Sequence, residues 1–306
     1  MKKTPPRTRI PKTRTHKLFD DHRLIVCAML RHAGLPMMSP YYSGIFAGIE
    51  QEVAARRYEM LFTSIPYTSL WTANQLPRSI PMMPRKNRFR GALLIGGLTD
   101  QLALAYQKLG ICVVLVDKPP AASLSSIMPD NFDAGFRAAH HLLSLGHRRI
   151  AFLGARPDPV GEARFNGFLE ALRKAGLRFD PEDYIPGSYG TETSAKAMAD
   201  YLKKQKENLP TAVLAVNDEA AIGILQALKS RNIPVPGRMS VMGFDDIPQA
   251  AVSNPPLTTM HIQRTEMGRL AARTLFAQME KPASPVRIEL PTKLIVRGSC
   301  AKPKSR

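Results

Sequence analysis

Two short apolar runs in the second half of the chain stop at side chains suited to holding a polar ligand: Asn217-Asp218 after "TAVLAV", and Asp245-Asp246 after "MSVMGF". Between them "EAAIGILQALKSRN" sets Ala221, Ile222, Leu225 and Leu228 on one helical face. The three segments read as buried strand, helix and buried strand, a right-handed β-α-β unit. Both polar pairs then fall at the carboxyl ends of parallel strands, and open α/β sheets bind ligands in the crevice beyond those ends. Helix capping is the competing use of such residues and accounts for one member of each pair. A ligand role is therefore expected for at least one of Asn217 and Asp245.

Catalysis has no support in the residues. The chain carries no glycine-rich phosphate loop, no paired catalytic carboxylates at a defined spacing and no Ser-His-Asp order, so an enzyme is not expected. His140, His141 and His147 sit on a helix and its end without further ligand types, so they read as surface or core residues. Neither a metal nor a cofactor is expected. Cys27, Cys112 and Cys300 are far apart, and the first two lie in strand-like runs; they read as reduced thiols of a cytoplasmic protein.

The segments around the polar strand ends alternate strand and helix in the rhythm of a parallel sheet. "RLIVCAML" is a strand, "YYSGIFAGIEQEVAARR" a helix with Ile45, Ile49 and Val53 on one face, and "YEMLFTSI" the next strand. Prolines at 66, 77, 81 and 84 interrupt the pattern, so no long helix runs through that stretch. "GALLIGG", "LALAYQKLG" and "ICVVLVD" restore strand, helix, strand. Near "MPDNF" a second half begins, with Asp130 or Asn131 opening a helix that ends at Gly146. "RRIAFLGA" (strand), "EARFNGFLEALRKAGL" (helix), "YIPGSYG" (strand) and "TSAKAMADYLKKQ" (helix) lead into the opening stretch. The helix "TEMGRLAARTLFAQME" and two short strands in "RIELPTKLIVRGSC" close the chain.

With 306 residues, 44% of them hydrophobic, the chain is long enough for two globular lobes. No apolar run approaches the roughly 20 residues of a membrane span, so no membrane partner is expected. The formal charge is +18. Residues 1–19 hold seven Lys or Arg and no acid, and "PRKNRFR" at 84–90 is a second basic patch. Such charge attracts polyanions through salt-sensitive, sequence-indifferent contacts. Lys2, Lys3, Arg7, Arg9, Lys12, Arg14 and Lys17 are the expected non-specific DNA contacts of the tail. The seven-residue run "LIVCAML" is too short for a signal peptide and lacks a cleavage pattern, so it reads as the first strand.

Five segments, in order, resemble the regulatory domain of the lac-repressor family of bacterial transcription factors. They are "DNFDAGFRAAHHLLSLGHRRIAFLG", "RFNGFLEALRKAGL", "AVNDEAAIGILQALKSRNIPVPGRMSVMGFDDI", "NPPLTTMHIQRTEMGRLAARTLF" and "LPTKLIVRGSC", within residues 22–300. The resemblance implies an α/β fold of the periplasmic-binding-protein-like type I class: two Rossmann-like lobes with parallel sheets and a small molecule in the cleft between them. It implies a basic, disordered tail over 1–21, a first lobe of 22–129 plus 262–282, a second of 130–261 plus 283–300, and a basic tail over 301–306. Hinge connections are expected near Asp130, Leu257 and Pro285.

By the same resemblance Arg164 forks toward the effector's polar groups, Tyr189 stacks on it, and Asn217 and Asp245 bind its hydroxyl or amine groups. Tyr41 or Tyr42 supplies an aromatic wall from the first lobe. The expected effector is a sugar or sugar derivative, and the expected assembly a homodimer. Three departures stand out. Where the family has a polar residue reaching the cleft, this chain has Ile262, with Gln263 one later. The proline-rich segment from Pro66 to Pro84 replaces the family's second helix. The residues before the first strand leave no room for a helix-turn-helix, so DNA is expected to be read by an upstream unit or touched weakly through the tail. The expected function is a ligand-sensing transcriptional regulator; a solute-binding protein of the same fold, without DNA-binding function, is the alternative.

Overall fold

The computed structural model describes residues 23–31, 39–66, 89–96, 100–119, 123–155, 158–205 and 208–304. Strand β1 (Leu24–Arg31), helix α1 (Pro40–Ala55), β2 (Glu59–Pro66), β3 (Gly91–Ile95), α2 (Asp100–Lys108), β4 (Cys112–Val116) and β5 (Ser125–Pro129) form the first run. The second begins with α3 (Asn131–Ser144), β6 (Ile150–Gly154), α4 (Pro159–Lys174) and β7 (Tyr184–Pro186). It continues through α5 (Thr191–Gln205), β8 (Ala212–Ala215), α6 (Asp218–Ser230), β9 (Ser240–Asp245), α7 (Pro248–Val252) and β10 (Thr258–His261). Helix α8 (Arg264–Glu280) and strands β11 (Arg287–Leu290) and β12 (Lys293–Ile295) follow.

These strands make two six-stranded sheets, ordered β11-β5-β4-β3-β1-β2 and β12-β10-β9-β8-β6-β7. Every pairing is parallel except that of β10 with β12. The continuous apolar character of the strands follows from helices on both faces. In the first sheet Ile25, Cys27, Leu93, Ile95 and Val114 pack against α1 and α8. The alternate residues Val26, Ala28, Leu94 and Leu115 pack against Ala103 and Tyr106 of α2. In the second sheet Phe152, Leu214, Met242 and Phe244 pack under α3 and α4. Leu153, Val213 and Val241 face α5 and α6.

The chain crosses between sheets after β5, after β10 and between β11 and β12. The crossings are stitched together: Asp130 N–H donates to the Leu290 carbonyl at 2.9 Å, and Gln263 Nε2 donates to the Pro291 carbonyl at 2.8 Å. Two expectations are corrected here. Residues 287–290, expected in the second lobe, pair with β5 in the first sheet, so the third crossing lies beyond Leu290 rather than at Pro285. The second crossing follows His261, whereas Leu257 is a buried residue preceding β10 within the second sheet. Strand β5 has no counterpart in the sequence reading. Its hydroxyls hide it: Ser125 Oγ accepts from Gln278 and from the Val286 N–H, and Ser126 donates to the Lys118 carbonyl. At the carboxyl end, Ala301 exchanges hydrogen bonds with Ser240, so the expected tail is anchored at its start. Residues 1–21 and most of the proline-rich stretch lie outside the described residues, and so do the expectations attached to Lys2, Lys3, Arg7, Arg9, Lys12, Arg14 and Lys17.

Candidate functional site

The carboxyl ends of both sheets face one another across the crossings, and the polar strand ends meet there. Helix α4 brings Arg164 into this space because α3 and α4 lie backbone to backbone. A Cβ at Gly135 of α3 would stand 2.0 Å from the Arg164 carbonyl oxygen, so only glycine permits the approach. Arg164, 2% exposed, spends its whole fork inside the second lobe. Nε donates to Asn131 Oδ1 at 3.0 Å, one terminal nitrogen to the Val216 carbonyl at 2.6 Å, and the other to Asp245 Oδ1 at 3.4 Å. Its guanidinium also lies over the Phe244 ring, 4.8 Å from the centroid.

Asp245 and Asp246 separate in the tertiary structure. Both occupy the left-handed region, at φ 106° and 54°, a conformation that costs about 1–3 kcal/mol each for a non-glycine residue. Asp245 is buried against Arg164; burial pushes its carboxyl up to about 7, against the pull of Arg164 and Arg264. Asp246 turns away to His261 Nδ1 at 2.9 Å and Arg297 at 2.6 Å. Although burial alone would raise it, those two partners hold its carboxyl below the usual range. The first pair divides as well. Asn217 caps α6, accepting from Ala220 N–H at 2.9 Å, while its amide donates to the Tyr189 carbonyl at 3.2 Å. Asp218 is fully buried and structural, accepting from Thr259 Oγ1 at 2.6 Å and the Ile247 N–H at 3.0 Å. Tyr189 donates its hydroxyl to Asp158, the N-cap of α4.

Across the space the first lobe presents Tyr41 and Tyr42, edge to face with centroids 5.1 Å apart, from the first turn of α1. Asp117 follows directly on β4 at φ 55°. The Tyr41 hydroxyl and Asp117 Oδ1 are both buried without a well-formed hydrogen bond among the described residues. Burial pushes the Asp117 carboxyl up to about 7 even though Arg164, and the Tyr41 hydroxyl close beside it, draw it down. The Tyr41 and Tyr42 phenols are raised by burial and by the carboxylates of Asp117 and Asp245. All six expected site residues therefore converge: Tyr41, Tyr42, Arg164, Tyr189, Asn217 and Asp245.

Asp117, Asp158 and Asn131 join them, Asn131 having been expected only as a helix opener and the two aspartates not at all. Asp117 ends the strand-like run "ICVVLVD", so the same strand-end rule that marks Asp245 marks it too. Ile262 is 1% exposed and packed in the core, and Gln263 is taken by the Pro291 carbonyl; neither supplies the polar group expected there. Arg264, one residue later, spans the two lobes, donating to the Pro40 carbonyl at 3.0 Å and the Asp246 carbonyl at 2.9 Å. The histidines stay outside the site. His147 bridges the Thr211 and Ser240 hydroxyls, and His140 stacks on Phe136. No group of side chains able to hold a metal occurs among the described residues, and no helix there is long and apolar enough to cross a membrane.

Two parallel-sheet lobes, three crossings and a polar cleft at the strand ends define a periplasmic-binding-protein-like domain, and residues 139–300 match the family described as "Periplasmic binding protein-like domain". The chain is 31% identical over 265 residues to the HTH-type transcriptional repressor CytR of Escherichia coli (strain K12), covering 85% of this chain and 75% of that protein. It is 29% identical over 268 residues to the HTH-type transcriptional repressor PurR of Haemophilus influenzae (strain PittEE), covering 85% of this chain and 78% of that protein. Among solved structures, that of a transcriptional regulator CelR–cellobiose complex superposes with a TM-score of 0.81 at 26% identity, covering 90% of this chain and 84% of that one. The chain belongs to the lac-repressor family of ligand-sensing transcriptional regulators.

Proposed function

We propose that the chain senses a neutral, polyhydroxylated small molecule, a sugar or sugar derivative, held between Asp117 and Tyr41 of the first lobe and Asp245, Asp158, Tyr189 and Asn217 of the second. The observation that carries this is the imbalance of hydrogen-bonding groups. Among the described residues three carboxylates, Asp117, Asp158 and Asp245, border the space, while Arg164 has every nitrogen engaged and Arg264 spends both terminal nitrogens on backbone carbonyls. Such a site favours a ligand rich in donors, which hydroxyls supply and an ionised carboxylate or phosphate does not, and a hydroxyl can also accept from Tyr41. Tyr41, Tyr42 and Tyr189 supply the flat apolar surfaces on which sugar C–H faces rest. The cellobiose complex of the CelR relative supports the same class of ligand.

Occupancy couples the lobes because the contacts come from both. A molecule bonded simultaneously to Asp117 and to the Arg164–Asp245 pair favours the closed arrangement by its differential affinity, and the regulator's DNA-competent state shifts accordingly. We take the acting unit to be a cytoplasmic homodimer whose DNA contacts include the basic tail. Titration calorimetry against neutral mono- and disaccharides, sugar acids and sugar phosphates tests the ligand class. The expected result is binding by one neutral sugar, with a stabilisation of about 2.7 kcal/mol at a hundredfold excess over Kd. Binding by the acids or phosphates alone overturns it.

A further inference from the structure

The edge of the first sheet opposite the cleft is built with the other sign of charge. Strands β1, β3, β4, β5 and β11 all start there, in register: Ile25 opposite Gly91, Gly91 opposite Cys112, and Arg287 opposite Ser126. Helices α1, α2 and α8 all end there. Arg57 lies in the turn between α1 and β2, Arg90 directly precedes β3, Lys108 ends α2, Lys281 caps α8 and Arg287 opens β11; all five are exposed. None pairs with a carboxylate among the described residues. The acids nearby are fewer. Glu52 is consumed by Arg56, Arg269 and Arg273, leaving Glu59, Glu280 and Glu289 exposed. Lys108 and Lys281 also offset the negative ends of α2 and α8. Arg90 lines one cavity with Leu109 and Gly110 beyond α2 and with Gln278 and Met279 of the last turn of α8, and Arg287 opens the outermost strand of the sheet.

The sequence adds a second, independent observation. Its two most basic stretches, 1–19 and 84–90, lead into β1 and β3, which are neighbours in the sheet. The edge spans five inter-strand gaps, about 24 Å at the usual spacing. A length of duplex DNA equal to that carries about 14 phosphate charges. We propose that this edge of the sensor lobe is itself a phosphate-contacting surface for duplex DNA, with Arg57, Arg90 and Arg287 as its contacts. The cleft lies at the opposite, carboxyl edge of the same sheet, so nucleic acid and effector would occupy separate faces of the lobe.

The test uses the full chain with a labelled random-sequence duplex, measuring affinity by anisotropy across a salt series. The triple variant Arg57→Asn, Arg90→Gln, Arg287→Gln keeps a residue tolerant of the left-handed backbone at 57. Its log affinity against log salt is expected to be shallower than the parent's by about 2.7, three phosphates at about 0.9 each. Deleting residues 1–19 should lower the slope further, additively with the triple variant. An unchanged slope in the triple variant, with all binding lost on deleting the tail, overturns the proposal. So does a larger loss on phosphatidylserine vesicles than on the duplex, which makes the edge a membrane surface instead. Sugar binding by the triple variant, measured in parallel, is expected to match the parent. Loss of the DNA effect therefore leaves the effector reading standing, and failure of all sugars leaves this one standing.

Discussion

The two walls of the cleft are built from similar residue types and differ in how far those residues are already satisfied. On the second lobe, Arg164 holds Asn131, the Val216 carbonyl and Asp245, Tyr189 holds Asp158, and Asn217 holds the start of α6. On the first lobe, the Tyr41 hydroxyl and Asp117 Oδ1 are buried without a well-formed hydrogen bond among the described residues. The first kind of wall is preorganised: its geometry exists before a ligand arrives, and binding costs it little ordering. The second kind holds unmet hydrogen-bonding capacity, about 1–3 kcal/mol for each such buried group. A ligand that meets it gains most where the lobes come together. One wall fixes orientation, and the other rewards closure.

Breaking the preorganised wall should give the largest effect. Arg164→Met leaves Asp245 buried without its partner, and the loss of folding stability is expected to be about 3–5 kcal/mol, read by urea denaturation, with effector binding abolished. If that variant does not fold, Arg164→Met combined with Asp245→Leu should recover much of the stability, because replacing both members of a buried pair with apolar groups is often neutral. A single Arg164→Met variant as stable as the parent would show that the two walls do not differ in the way described.

Asp117→Asn acts on the other wall and should separate binding from stability. It is expected to weaken effector binding by about 1.5–3 kcal/mol in calorimetry while leaving the ligand-free fold intact. The pH dependence sharpens this. The folded-state pKa of Asp117, like that of Asp245, is pushed up to about 7. An aspartate in the unfolded chain titrates near 4, so each carboxyl contributes stability that is full below about pH 4 and is lost as pH rises to about 7. Ligand-free protein should therefore lose stability from these two groups over that window. Asp117→Asn should show a shallower fall and be the more stable protein at alkaline pH. A parallel slope in parent and variant would place Asp117 outside the buried cleft.

The smallest effect belongs to Asn217, whose side chain serves the helix as well as the cleft. Asn217→Ala should cost about 1 kcal/mol of stability through the lost cap of α6, and Asn217→Asp, which keeps an N-cap acceptor, should restore it. If Asn217→Asp restores stability but not effector affinity, the amide has a ligand role beyond capping; if it restores both, the residue is a cap alone.

Much of the cleft was legible because strand ends are. A continuous apolar run closed by a polar residue marks the carboxyl end of a parallel strand, and that rule reached Asn217 and Asp245. Applied evenly, it reaches Asp117 as well, which a search for adjacent polar pairs passes over. Arg164 and the tyrosines lie within helical or turn segments with no periodic signal for function, so they came through family resemblance. Strand β5 escaped because "SSIMP" lacks apolar alternation; its serines are buried only because Gln278 and the β11 backbone come to meet them.

Most of the alternation of strand and helix, two similar α/β halves, the absence of catalytic patterns and the concentration of positive charge near the first strand can be read from the sequence. Those properties follow from local periodicity and composition, which a linear chain displays. The tertiary structure alone decided which of two adjacent aspartates serves the cleft, since left-handed backbone at both positions sends Asp245 to Arg164 and Asp246 to Arg297. It alone seated β11 in the first sheet and β12 in the second, with only Pro291 and Thr292 between them. It alone buried Asp117 Oδ1 and the Tyr41 hydroxyl without a well-formed hydrogen bond among the described residues. Each of these depends on which groups from distant segments compete for the same hydrogen bond, and that competition exists only once the chain has folded.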